Sequence, residues 1–313
     1  MRVIKWIALA GLSLTAFLGL AGAQANSASI SRDVQPDGKG NKPWDAPGQP
    51  GAPHIPQGAA STAAAAVVPI TYHGGPIMTG TTNIYYIWYG NWSGNTALSI
   101  LTSLAQNIGG SPYFNINTTY TNGSGGRVSN SVHFIGSTTD NYSQGKSLSD
   151  AQIKTVVSNA ITSGRLQLDA NGVYFVLTSQ DVTASSGFCT QYCGWHTRTT
   201  ISGTDIKYSF VGNSARCLSS CAAQSVSPNN NPGADGMASV LAHELEETVT
   251  DPDLNAWYDK SGAENGDKCA WTFGTTTTLT GGAKYNMILG LFKYLIQQNW
   301  VQVPNGGYCA KSY

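Results

Sequence analysis

The chain runs to 313 residues, and only 11% of them are charged, 17 basic against 17 acidic. Balance at that low density leaves no electrostatic footprint for a nucleic-acid partner; polarity comes instead from Ser, Thr, Asn and Gly, as is common in secreted proteins. The 41% hydrophobic content supplies material for a substantial core.

The N-terminus reads as an export signal. Arg2 and Lys5 form a basic start, residues 7–20 are an apolar run short for a bilayer span, and Ala21-Gly22-Ala23 gives a small-residue cleavage pattern, so residues 1–23 are expected to be a signal peptide. Residues 24–67 are rich in Pro, Gly, Ala, Ser and Asn with no sustained apolar period, the composition of a disordered linker. Residues 68–313 are then expected to form one domain. No second hydrophobic span follows, so the mature chain is expected to be a secreted, extracellular monomer without a membrane attachment.

Within that domain, the aromatic and β-branched run at 83–90 predicts a strand and the spacing at 95–108 a helix. A short strand follows at 132–135. Ser149 with Gln152 forms a capping-box pattern opening a helix to about 163, and 173–177 reads as a buried strand. Another strand is expected at 207–211, then a polar loop at 225–235 leading into a helix over 236–250. The order predicts an α/β or α+β fold, a mixed sheet with packed helices, one of them resembling the metal-site helix of zincins.

Six cysteines, Cys189, Cys193, Cys217, Cys221, Cys269 and Cys309, lie in the second half, and an even count behind a signal peptide predicts disulfides. Sequence neighbours are the expected partners: Cys189 with Cys193, Cys217 with Cys221, and Cys269 with Cys309, among about 15 possible pairings. Zinc-thiolate sites more often use a C-x-x-C spacing than the C-x-x-x-C found here, which favours bridges.

The chemistry concentrates in His243-Glu244-Leu245-Glu246-Glu247-Thr248-Val249-Thr250-Asp251-Pro252. At about 100° per residue, His243, Glu244, Glu247 and Asp251 share one sector of a helix, Glu246 falls off it, and Met237, Val240, Leu241, Leu245 and Val249 take most of the remaining arc. Pro252 ends the helix. In zinc hydrolases the H-E-x-x-H pattern supplies two imidazole ligands one turn apart, with the intervening Glu as general base; here Glu247 replaces the second imidazole. His243 and Glu247 are thus expected metal ligands and Glu244 the catalytic base. The third ligand is sought among Glu264, Asp253, Asp251 and Asp267. Glu264, 21 residues after His243, is preferred over Asp253 at ten, because the glycine of the metzincin pattern is Thr250 here. A carboxylate in place of imidazole shifts preference toward harder ions, so the cofactor is expected to be a divalent metal, zinc first, with calcium or no metal as alternatives.

His196 and His73 are further polar candidates; His196, just after the Cys189–Cys193 pair and Trp195, offers a further ligand or an electrophile for an oxyanion, though each alone is more simply read as a hydrogen-bonded loop histidine. Trp88, Trp92, Trp195, Trp257, Trp271 and Trp300 permit carbohydrate binding, although packing is the plainer role. No G-x-S-x-G elbow occurs, which counts against a serine hydrolase.

These segments together resemble the EXORDIUM or phosphate-induced protein family, known from plant cell walls and also found in bacteria. The resemblance rests on Tyr72-His73-Gly74-Gly75-Pro76, on Tyr86-Ile87-Trp88-Tyr89-Gly90-Asn91-Trp92, and on Phe188-Cys189 to Cys193-Gly194-Trp195-His196. It continues through Phe210-Val211-Gly212, Cys217 to Cys221, and Asp235-Gly236-Met237 into His243-Glu244-Leu245 and Asn255-Ala256-Trp257-Tyr258. It implies a secreted protein of the bacterial type, linked in plants to cell-wall growth responses and without an established catalytic activity. It also carries over a Glu-x-x-Asp-x-Cys pattern onto Glu264, Asp267 and Cys269, while Asp251 stands where plant members look more like Asn. Two functions follow as expectations: a metal-dependent, peptidase-like hydrolase, or a non-catalytic cell-surface protein with a structural metal site that binds cell-wall polysaccharide or a protein partner.

Overall fold

The computed structural model describes residues 68–304 and 306–313; the expected signal peptide and linker lie outside the described residues. The centre is a five-stranded mixed sheet. Strands β1 (Thr82–Tyr89), β2 (Val132–Asp140), β3 (Gly172–Thr178), β4 (Gly194–Ile201) and β5 (Thr204–Val211) lie in the order β2-β1-β3-β5-β4. Pairing is parallel except between β4 and β5, which run antiparallel. The fold is therefore α+β with a mixed sheet.

Burial along the strands explains their places. All seven residues of β3 and seven of the eight in β1 are buried, as a central strand covered on both faces requires. In β2 the residues between its two buried ends are alternately exposed and half-buried, the pattern of an edge strand with one face in water. It runs to Asp140, five residues past its expected end, because pairing with β1 overrides the weak propensity of Gly136 and the threonines.

Helix α1 (Ala97–Asn107) buries Ala97, Ile100, Leu101, Leu104 and Ala105, a one-face stripe. Helix α2 (Asp150–Thr162) opens with the Ser149–Gln152 capping box read from the sequence. Helix α3 (Pro232–Thr250) starts four residues before its expected beginning. Its Asn- and Pro-rich approach looked like a loop, but the Asn231 side chain accepts from Ala234 N as N-cap and Pro232 takes the first helical position, where its missing N–H is harmless. Every residue from Gly233 to Thr250 is buried, so the acidic sector faces the interior and not solvent. The helix packs on α1, β4 and β5. None of the described helices is long and apolar enough to cross a membrane.

Strand β4 takes up His196, expected in a loop. It closes onto β5 through Ser202-Gly203, both at positive φ (49° and 80°), which is the two-residue turn suited to a twisted hairpin. The disulfides also differ from expectation in two of three cases. Cys189 bonds Cys217 and Cys193 bonds Cys221, while Cys269–Cys309 is as expected. Cys217 and Cys221 bracket the one-turn helix Leu218–Cys221, so both sulfurs face the same neighbouring segment. The two bridges form a ladder that ties the chain entering β4 to the chain leaving β5.

Candidate metal centre

Helix α3 places His243 and Glu247 one turn apart, with Nε2 of the first 2.9 Å from Oε1 of the second. The loop after the helix returns Glu264 and Asp267 to the same place, and β4 adds His196. Two groups of donor atoms result, His196 with Glu247 and Glu264, and His243 with Glu247 and Asp267; within each, all atoms lie inside 4.8 Å of one another. His196 Nε2 is 3.1 Å from Glu264 Oε2 and 4.0 Å from Glu247 Oε2, and His243 Nε2 is 3.9 Å from Asp267 Oδ1.

The loop is held by its own carboxylates. Asp251 Oδ1 accepts from the backbone N–H of Asn255 and of Ala256, both at 2.6 Å, fixing the turn that leaves α3. Thr71–Tyr72 pairs with Trp257–Tyr258 and anchors the next stretch. Asp259 then accepts from Ser261 N, Ser261 Oγ and Ala263 N through one oxygen and from Lys268 Nζ, at 2.7 Å, through the other. At Gly266 the backbone lies flat on the site: a Cβ there would come 2.8 Å from Glu247 Oε1 and 3.0 Å from the His243 ring. Asp267 N donates to Glu247 Oε1, and Glu264 N donates to Asp267 Oδ2.

The candidates for third ligand therefore separate. Glu264 and Asp267 reach the donor groups. Asp251 is occupied by backbone donors, and Asp253 sits outside, 3.7 Å from Arg198 Nε. Glu244 is fully buried and belongs to neither group; its Oε1 rests against Gly194 at the head of β4, where a Cβ would approach to 2.7 Å.

Electrostatics set the protonation of this interior. Burial and the repulsion from His196 pull His243 down to about 3, leaving the neutral imidazole that a metal needs. Burial and the Glu264 charge push Asp267 up to about 8, against the hydrogen bond from Glu264 N. The same two causes raise Asp251 to about 7. Carboxylates crowded out of water in this way either take up protons or share a cation.

His196 is the candidate donor that the sequence reading placed in a loop. The β-branched run Thr197, Thr199, Thr200, Ile201 ahead of Ser202-Gly203 was the available signal for a strand there. His73 stacks on Tyr258 with ring centroids 3.7 Å apart, and His133 lies exposed on β2; neither belongs to a donor group. The six tryptophans considered for carbohydrate are each at most 9% exposed, so they pack the interior and form no open platform.

Residues 70–301, which include every donor named above, match the family described as phosphate-induced protein 1 conserved region. The chain belongs to this family. It is 33% identical to EXORDIUM-like 3 of Arabidopsis thaliana over 284 residues, 78% of this chain and 83% of that protein. To EXORDIUM-like 5 of the same plant it is 32% identical over 288 residues, 78% of each. PHOSPHATE-INDUCED 1 of Nicotiana tabacum is 32% identical over 218 residues, 60% of this chain and 67% of the relative. No solved structure matches the chain. Within the phosphate-induced family the name does not assign the buried cluster a task, and its chemistry has to be argued from the donors.

Proposed function

We propose that this family member is a secreted metal-dependent hydrolase, peptidase-like, that holds a divalent metal, zinc first, in the buried cluster of His243, Glu247 and Glu264 with His196 and Asp267, where Glu264 reaches Glu247 from the His196 side and Asp267 from the His243 side. One observation carries the reading: imidazoles and carboxylates from a strand, a helix and a loop converge in the interior, a donor set of the kind divalent ions take. Secretion is supported by three disulfides and by the family.

A bound divalent ion supplies Lewis acidity and makes water a better acid at neutral pH. Glu244, buried and outside both donor groups, would be left by a metal there to take a proton from water and pass it to the leaving group. The substrate class on this reading is a peptide. Metal analysis of the purified chain, paired with a peptidase screen of the parent and Glu244→Gln, tests it. Bound zinc with activity lost in the variant supports hydrolysis; activity that survives in Glu244→Gln removes Glu244 as the base.

The burial of His196, His243, Glu247 and Glu264, each under 4% exposed, favours a second reading. On it the ion is structural, and the protein binds cell-wall polysaccharide or a protein partner at the cell surface. Bound metal, no hydrolysis of any peptide tested and a lowered melting temperature on chelation select this reading.

A further inference from the structure

We propose that the cluster takes two divalent ions bridged by Glu247, one on His196 and Glu264 and the other on His243 and Asp267. The inference rests on the reading of the cluster as a metal centre and extends its ligand set beyond the single ion proposed above.

The donors form two groups, and Glu247 is the residue common to both. Its two oxygens divide between them, Oε1 toward His243 at 2.9 Å and Oε2 toward His196 at 4.0 Å. Each group then has the same composition, one imidazole nitrogen and two carboxylate oxygens. Donors on one tetrahedral ion with bonds of about 2.0–2.2 Å are spaced roughly 3.3–3.6 Å apart. The distances of 3.1 and 4.0 Å in one group and of 2.9 and 3.9 Å in the other lie on both sides of that value, so small side-chain adjustments bring each group onto an ion. A bridging carboxylate suits ions about 3.5–4 Å apart, the spacing of two-metal hydrolytic centres.

Charge points the same way. With neutral imidazoles and deprotonated carboxylates, as ligation requires, Glu247, Glu264 and Asp267 carry three negative charges, and one divalent ion leaves the buried group net negative. Glu244, buried alongside, adds a fourth when it is ionised. The basic side chains that reach this region are committed elsewhere, Lys268 to Asp259 at 2.7 Å and Arg198 to Asp205 and Asp253 at 3.5 and 3.7 Å. A second divalent ion brings the interior close to neutral, which is the condition for burying charge without a large desolvation penalty.

His243 supplies an independent sign. It is 1% exposed, its Nε2 faces Glu247 Oε1 at 2.9 Å, and the Gln297 side chain lies beside the ring. An imidazole that turns one nitrogen to a carboxylate while a neighbouring side chain holds the ring is oriented as a metal ligand is.

The test is stoichiometry together with coupling, read on the full secreted chain. After chelation and dialysis, zinc is titrated calorimetrically into the parent, His196→Ala and His243→Ala, and manganese(II) is loaded into the parent for electron paramagnetic resonance. Two zinc equivalents in the parent, one in each variant, and an exchange-coupled manganese spectrum are expected. One equivalent in the parent, or two manganese ions without coupling, overturns the bridged pair and leaves a metal centre standing. No binding of either metal overturns both readings. The manganese spectrum uses the parent alone, so the result holds even if a variant fails to fold.

Discussion

Helix α3 buries two glutamates side by side in sequence, and they meet opposite company. Glu246 enters a neutral network: its Oε2 lies 3.0 Å from the Tyr113 hydroxyl, and Asn265 Nδ2 donates to its backbone carbonyl. Asn265 and Asn299 both donate to Asn117 Oδ1, and Thr250 Oγ1 donates to Asn265. Glu247 instead meets two imidazoles and two further carboxylates. Burial drives Glu246 well above the ordinary carboxylate range, partly offset by Tyr113 and Asn299, and amides and a phenol can satisfy the acid in that state. Around Glu247 the side chains are mostly acceptors competing for few protons, a competition that the proposed cation would resolve. Fully buried acid is thus not one phenomenon; the neighbours decide whether it is scaffold or site.

The sharpest way to break that contrast is to delete each acid in turn. Glu247→Ala is expected to abolish stabilisation by added zinc, which in the parent amounts to about 2.7 kcal/mol at a hundredfold excess over Kd. Glu246→Ala should unfold more easily with or without metal yet keep the full zinc increment. Thermal melts of both variants with and without zinc read the difference; equal increments would place the metal away from α3.

A smaller pair probes the walls of the two clusters. Gly266→Ala drives a methyl into Glu247 Oε1 and the His243 ring, an overpacking cost of about 1–3 kcal/mol that should appear together with weakened zinc binding. Tyr113→Phe removes the hydroxyl beside Glu246 and is expected to lose about 1–3 kcal/mol with zinc affinity unchanged. Calorimetric zinc affinity that fell equally in both would show the clusters to be one coupled unit.

Which parts of this were legible in sequence follows from where each is decided. His243 and Glu247 are set by one helical turn, a local rule, and Ser149–Gln152 by a local cap, so both could be read directly. Glu264 was preferred by its spacing and Asp267 was one of several alternatives, and the choice stayed open because a loop's return path depends on contacts such as Asp251 with Asn255 and Ala256. His196 was named as a candidate but placed in a loop, because its approach is fixed by the pairing of β4 with β5, a long-range fact. The crossed disulfides were missed for the same reason: proximity in sequence suggested Cys217 with Cys221, whereas their common face directs both to another segment. The sector of acids lies on the helix where its periodicity placed it, but the periodicity could not say what covers it, and the structure buries it.

The smallest effect concerns the loop that feeds both clusters, giving Glu264 and Asp267 to one and Asn265 to the other. Burial by itself would raise Asp259, but Lys268, Ser261 and Ala263 outweigh it and hold the carboxyl at about 2. A carboxyl depressed in the folded state contributes stability above the ordinary carboxylate range, and that contribution fades as pH falls from about 4 toward 2. Lys268 is one of several contributors, so Lys268→Met is expected to lose about 1 kcal/mol at neutral pH in the metal-free protein. The gap between parent and variant should close on acidification across that window, which removes the effect of other acids common to both. The same variant loosens the hinge that presents Glu264 and Asp267, so zinc affinity should drop by about the same free energy, while Tyr113→Phe in the Lys268→Met background should add its own loss unchanged. Melts from pH 7 to pH 2 without metal, then zinc titration at pH 7, read both. A gap that stayed constant with pH would mean that Lys268 acts by packing on the Trp300 ring, 5.7 Å away, and not through the Asp259 charge.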